Sequence, residues 1–366
     1  MFSRLSKMRS TLLAWVTGIG LVLLLNSLIV ACSTESTTPT GSPQAGGTPG
    51  PARSTLLSTI QGRGQLICGV NDQLPGFGNV DAAGKYTGFD VDFCRAVSAA
   101  VFGEPDKVEF VPVKSANRQT AIQSGEVDMM SRNTTWTLTR DFEWGAIFAP
   151  TTYHDGQGFM VKTARNIDSI EKMDGASICV LSGTTTELNL ADAFRARNLK
   201  FTPVVFDNDD ATYAAYDQGR CDVVTSDQSS LISRKSTLKA PNESAILDQV
   251  ISKEPLGPLV SQSDPVWADI VRWTIDSLIY AEERGITSQN VSTFASTQDP
   301  DIKRFLGGEG NLGQLMGLAP DWTAKVIASV GNYGEIFDRH LKPLGVERGL
   351  NDLYTKGGLM YSIPFR

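Results

Sequence analysis

Arg140, Asp227 and the run Gly183-Thr184-Thr185 are the residues whose types and places could do chemistry together. Each follows a predicted strand, and open α/β sheets put their ligands at strand ends. The planar guanidinium of Arg140 can hold a carboxylate through two parallel hydrogen bonds, which a lysine cannot reproduce. Gly183-Thr184-Thr185 lies between a predicted strand and a helix beginning near Thr186, where free backbone N–H groups can point at an anion. Asp227 offers an acceptor for a cation, or an N-cap for the helix after it. A single arginine is ordinarily a solubilising surface charge and Gly-Thr-Thr ordinarily a helix cap, so order and spacing carry the argument. Catalysis finds less support. The two histidines, His154 and His340, stand alone in sequence, which argues against metal clusters and histidine-based catalysis, so no metal and no cofactor is expected. Asp72 or Asp155 could be nominated as a general acid, but neither has a discriminating context.

The elements that must position these residues alternate. From Gln65 onward, short apolar runs interleave with amphipathic stretches, the pattern of βαβ units on a mostly parallel sheet. Strands are predicted over 65–70, 108–113 and 127–131, with helices over 89–102 and 115–124. The pattern pauses at 150–158. It resumes with strands over 159–162, 177–181, 201–206 and 221–225, and helices over 186–197, 210–218 and 228–234. Residues 246–252 and 259–260 read as extended, and helices are expected over 267–284 and 322–329.

Arg4, Lys7 and Arg9 precede an uncharged, largely apolar run from Thr11 to Ala31, the layout of a secretion signal. The run ends Ile29-Val30-Ala31-Cys32, which resembles a bacterial lipobox, in which Cys32 would carry the lipid. An uncleaved transmembrane anchor is the alternative. Residues 32–53 are Ser, Thr, Pro and Gly with almost nothing apolar, a flexible tether reaching roughly 25 Å. The remaining stretch is too long for one compact core and suits two domains. Loss of residues 1–31 moves the formal charge from −7 to −10. An acidic body argues against nucleic acid as a partner.

Gly88-Phe89-Asp90-Val91-Asp92, Gln123-Ser124-Gly125-Glu126-Val127-Asp128 and Gly183-Thr184-Thr185-Thr186-Glu187 together resemble the polar-amino-acid-binding proteins of ABC importers. Ser131-Arg132-Asn133-Thr134-Thr135-Trp136-Thr137 is similar, more narrowly, to the general L-amino-acid-binding branch. The resemblance implies a type II periplasmic-binding-protein fold, two α/β lobes with a hinge and a ligand cleft between them. Residues 54–156 with 254–366 would form lobe one and 157–253 lobe two, although periodicity alone would permit a third, C-terminal domain. It implies a monomeric, extracytoplasmic lipoprotein, not an enzyme, that binds free L-amino acids broadly and delivers them to an ABC permease. By the same resemblance Arg140 takes the α-carboxylate with help from the Thr135 hydroxyl and the Asn133 backbone. Asp227 takes the α-ammonium, and Gly183, Thr184 and Thr185 also hold the carboxylate. Asn71, Asp72 and Phe77, in a glycine-punctuated loop, and Trp136 are candidates to line the side-chain pocket. Many relatives carry Ser-Gly where this chain has Arg132-Asn133, so side-chain selectivity is not carried over. Four cysteines beyond Cys32 allow three pairings. Cys68 with Cys94 and Cys179 with Cys221 is favoured, since a crossed pairing would staple the lobes together. The rivals are a cyclohexadienyl or arogenate dehydratase-like enzyme on the same fold and an amino-acid sensory module.

Overall fold

The computed structural model describes residues 53–366. The expected signal (1–31), the expected lipid site at Cys32 and the tether through residue 52 lie outside the described residues. Among the described residues no helix is long and apolar enough to cross a membrane.

Two five-stranded sheets organise the chain. In the first, Leu66–Val70 pairs in parallel with Val108–Pro112 on one side and Met129–Met130 on the other. Leu259–Ser261 and then Ala146–Phe148 extend it with antiparallel pairings. The second repeats this order. Ala176–Leu181 lies in parallel between Phe201–Phe206 and Val223–Asp227, and Gln157–Lys162 and Ser244–Ile246 add antiparallel strands.

The second sheet reads as continuous apolar runs because helices cover both its faces. Side chains alternate with period two. Phe159 and Val161 join one cluster with Leu190 and Phe194 of the helix Thr185–Ala196. Met160 points into another, with Tyr213 and Tyr216 of the helix Asp209–Asp217. Phe194 is fully buried, and its truncation to alanine would cost about 3–5 kcal/mol.

The first lobe has a larger core, because the C-terminal third returns to it. Asp264 caps the helix Pro265–Glu283 by accepting the Trp267 N–H, with proline at the first helical position. Its buried stripe Trp267, Ile270, Ile275 and Leu278 shares one cluster with Leu66 and Val70 of the first sheet and with Val326 and Ile327 of the helix Trp322–Val330. A capping box of Asn332 and Glu335 starts the next helix, Tyr333–His340.

The two expected disulfides form, each inside one lobe. Cys68–Cys94 ties the strand Leu66–Val70 of the first sheet to the helix Phe89–Phe102, and Cys179–Cys221 ties Ala176–Leu181 of the second to the turn before Val223–Asp227. Gly88, ahead of Phe89–Phe102, has φ +142°, and a Cβ there would lie 2.2 Å from the Phe77 carbonyl oxygen. Only glycine lets that loop and helix meet.

Some elements differ from expectation. The pause at 150–158 contains a strand, Tyr153–Asp155, which pairs antiparallel with Glu254–Leu256. These are the two passages of the chain between the sheets, outward at Tyr153–Asp155 and back at Glu254–Leu256. The expected strand over 127–131 shrinks to Met129–Met130, and of 246–252 only Ile246 is in a strand, Ser244–Ile246.

Candidate functional site

The carboxyl ends of the parallel strands in both sheets converge on one narrow cleft. Arg118, Asn133, Thr135 and Arg140 line it from the first lobe, and Thr184, Thr185, Asp209 and Asp227 from the second. The predicted anchors of opposite charge, separated by 87 positions of chain, thus share one space.

Arg140 belongs to the short helix Leu138–Glu143, whose N-cap Thr137 accepts the Arg140 N–H. The residue is 5% exposed. Nη1 donates to the Thr135 carbonyl at 2.6 Å, and the guanidinium lies 4.9 Å from the Trp144 ring centre. Burial pulls its pKa down to about 10, against the attraction of Glu254 and Asp227. It stays cationic at neutral pH.

Asp227 ends its strand immediately before the helix Gln228–Lys235, yet its side chain makes no capping hydrogen bond. The carboxylate is 6% exposed. Burial raises its pKa well above the ordinary value, Asp155 and Glu254 push the same way, and Arg118 and Arg140 oppose. A cation brought to this group would favour its charged form.

Gly183 has φ +69°, and its N–H donates to the Glu187 carboxylate at 3.0 Å. Its carbonyl accepts from Arg118 Nη2 at 3.0 Å, a hydrogen bond between lobes. Thr184 caps the helix Thr185–Ala196 by accepting the Glu187 N–H. The first N–H groups of a helix have no intrahelical acceptor, and here those of Thr185 and Thr186 sit on cavity-lining residues.

Thr135 and Thr185 face each other across the cleft, and both hydroxyls donate to Glu254 Oε2, at 2.7 and 2.9 Å. Asn189 donates to its Oε1 at 2.7 Å. Glu254 is 1% exposed and lies on a strand that joins the lobes, so one carboxylate gathers both threonines beside the chain crossing. Asn133 adopts φ +25°, held by its N–H donating to Asp90 at 2.7 Å. Burial raises the Asp90 pKa to about 7.

The expected side-chain pocket is divided. Asn71 and Asp72 line an adjoining cavity of about 180 Å³ with Arg132 and Lys114. Asn71 Nδ2 also donates across the cleft to Asp209 at 3.3 Å. Phe77 is fully buried in the first-lobe core against Phe89 and Tyr153 and lines neither cavity. Its loop folds back as the hairpin Gln73–Leu74 with Gly78–Val80, which turns the ring inward. Trp136 lines neither cavity; 42% exposed, it stacks on Phe148 and donates to Asp141. Sequence reasoning assigned no contact role to Arg118, Arg132, Asp209 or Glu254. Arg118 and Asp209 each begin a helix just after a strand, which was a usable signal.

Residues 66–286 match the bacterial extracellular solute-binding proteins, family 3, and the chain belongs to that family. It is a solute-binding protein with the type II fold, not an enzyme. The general L-amino acid-binding periplasmic protein AapJ of Rhizobium johnstonii is 55% identical over 320 residues, covering 86% of this chain and 94% of that protein. The glutamate/glutamine/aspartate/asparagine-binding protein BztA of Rhodobacter capsulatus is 48% identical over 321 residues, 87% of this chain and 95% of that one. A solved periplasmic binding protein of an ABC transporter from Brucella ovis, with glutathione bound, is 51% identical with a TM-score of 0.83, over 85% of this chain and 99% of that one.

Proposed function

We propose that this chain captures free L-amino acids in the cavity between its lobes and delivers them from the periplasm to an ABC permease. Arg140, with Thr135, Asn133 and the turn Gly183-Thr184-Thr185, takes the α-carboxylate, and Asp227 takes the α-ammonium. The observation that carries this reading is the meeting of Arg140 and Asp227, both buried and of opposite charge, from separate lobes in one cavity. A zwitterion satisfies both, whereas either charge buried alone costs several kcal/mol. AapJ and BztA, which match this chain over nearly their full length, are by name amino-acid binders. Broad specificity follows from placing the strongest contacts on the α-groups, common to every amino acid.

Residues 54–156 with 254–366 act as one lobe and 157–253 as the other, hinged where the chain crosses. Only the closed form makes every contact to the ligand, so binding shifts the equilibrium toward it. Arg4, Lys7 and Arg9, the apolar run to Ala31 and the small residues before Cys32 support export and lipidation of Cys32, with the protein working as a tethered monomer.

Thermal shift against the common L-amino acids tests the reading. Several of them at micromolar levels should raise the melting temperature; a flat response across the set overturns it. Amino-acid uptake lost on deletion separates delivery from sensing.

A further inference from the structure

The buried Glu254 carboxylate accepts from four side chains. The Thr135 and Thr185 hydroxyls meet at its Oε2, and Asn189 and Ser252 donate to its Oε1. A hydroxyl has one proton to give and a carboxylate has none, so both threonine protons are committed to Glu254. The two hydroxyl oxygens themselves lie 3.3 Å apart across the cleft. A proton shared between them would have to leave a carboxylate oxygen that is nearer and the stronger acceptor. Two acceptors therefore sit side by side, one from each lobe, and such a pair calls for an N–H donor.

The Thr135 backbone points elsewhere. Thr135 stands opposite Leu256, but the hydrogen bonds of that bridge come from its neighbours, Trp136 N–H to the Pro255 carbonyl and Gly257 N–H to the Thr134 carbonyl. In an extended segment the N–H and C=O of one residue point to the same side, and the Thr135 carbonyl accepts from Arg140. Its N–H is therefore turned to the side of Arg140, away from the strand that carries Glu254.

We propose that Glu254 is a positioning residue: by holding both hydroxyl protons it keeps Thr135 Oγ and Thr185 Oγ as acceptors for the ligand's α-ammonium. This rests on the amino-acid reading above and refines it. The three N–H groups of a primary ammonium go to Asp227, Thr135 and Thr185, all of which line the cleft. Thr135 then serves the α-carboxylate through its backbone N–H and not, as the resemblance implied, through its hydroxyl. Glu254 itself does not line the cleft. It lies on the strand by which the chain returns to the first lobe, and from there it reaches one hydroxyl of each lobe.

Isothermal titration of the purified protein with L-alanine, L-glutamate and the N-methyl derivative of each tests this. An N-methyl ligand has two N–H groups in place of three and should bind the wild type about 10- to 100-fold more weakly than its parent, the contribution of a hydrogen bond to a charged donor. In Glu254→Gln the carboxamide NH2 donates to one threonine hydroxyl, which turns its own proton into the cleft and ceases to accept there. The two parent ligands should then lose about 10-fold or more and the N-methyl ligands no more than about three-fold, so that the gap shrinks. A role in the fold alone would weaken all four alike. No gap in the wild type, or equal losses in the variant, overturns the proposal and leaves the α-group reading standing. A wild type that binds none of the four sinks the reading beneath it. Should the variant fail to fold, a crystal structure of the wild type with L-alanine decides: the ammonium nitrogen must lie within hydrogen-bond distance of both hydroxyl oxygens, and a carboxylate oxygen in its place overturns the assignment.

Discussion

Each half of the molecule lays three parallel strands in the same spatial order, yet the two halves present opposite charge to the space between them. The first lobe contributes buried Arg118 and Arg140, with Arg132 beside them, and the second contributes Asp209 and Asp227. The halves also differ in bulk. The first has one large cluster shared with the C-terminal helices and a second, smaller one, whereas the second keeps two small clusters, one on each face of its sheet. A shared topology thus provides two similar platforms, and the side chains at the strand ends make them complementary.

The largest effect should come from breaking the charge complement itself. Arg140→Lys and Asp227→Asn should each weaken every amino acid by about 3–5 kcal/mol in titration calorimetry. Selective loss for one ligand would mean that these groups touch side chains instead. Asp227→Asn should leave the unliganded melting temperature level or higher, because it removes a carboxylate that burial penalises.

Difference in bulk is the next thing to test. Cys179→Ala with Cys221→Ala should lower stability by about 3 kcal/mol, as an early separate step in calorimetric melting. Removing Cys68–Cys94 should cost somewhat less, since it closes 26 residues against 42. The reverse ranking would show that loop length does not set the two contributions.

Closure can be tested at Gly183. A Cβ there would lie 2.8 Å from Ala116 Cα in the other lobe, at a φ that side chains rarely adopt. Gly183→Ala should weaken binding by about 2 kcal/mol, and its small-angle scattering should keep the open dimensions when ligand is added. Full compaction on binding would show that the contact is not needed.

The smallest effect concerns the first lobe alone. Asp276 is 2% exposed with Oδ2 unpartnered, and burial raises its pKa from 3.8 to about 7, with Glu283 adding to the rise and Arg272 and the Ile363 N–H opposing it. The fold therefore holds this proton where the unfolded chain has lost it. Its contribution to stability falls as pH rises from 3.8 to about 7 and is level above that. Asp276→Asn should raise the melting temperature at pH 8, by about 1 kcal/mol in stability, and hardly at all at pH 4. Equal shifts at both pH values would refute the assignment.

The place of Asp227 in the cavity was legible in the sequence because it ends a strong apolar strand, after Val223 and Val224, whereas Arg140, ten positions past the two-residue strand Met129–Met130, was singled out by family resemblance. The threonine turn was legible in the way Asp227 was. Glu254 was not. Its strand is three residues long and shows no period, and its role exists only because Thr135, Thr185 and Asn189 arrive from positions 65 to 119 residues away. Phe77 misled in the opposite sense. Glycines around an aromatic suggest an exposed loop, but Gly88 lets that loop lie against a helix start and the ring enters the core.

Among the described residues no cystine spans the two halves. Oxidising surroundings that harden each half therefore never weld the jaw shut. The swing is governed by two passes of backbone and a set of reversible polar contacts, so cargo exchange should run at the same pace whatever the ambient redox poise, while reductant softens the jaws themselves.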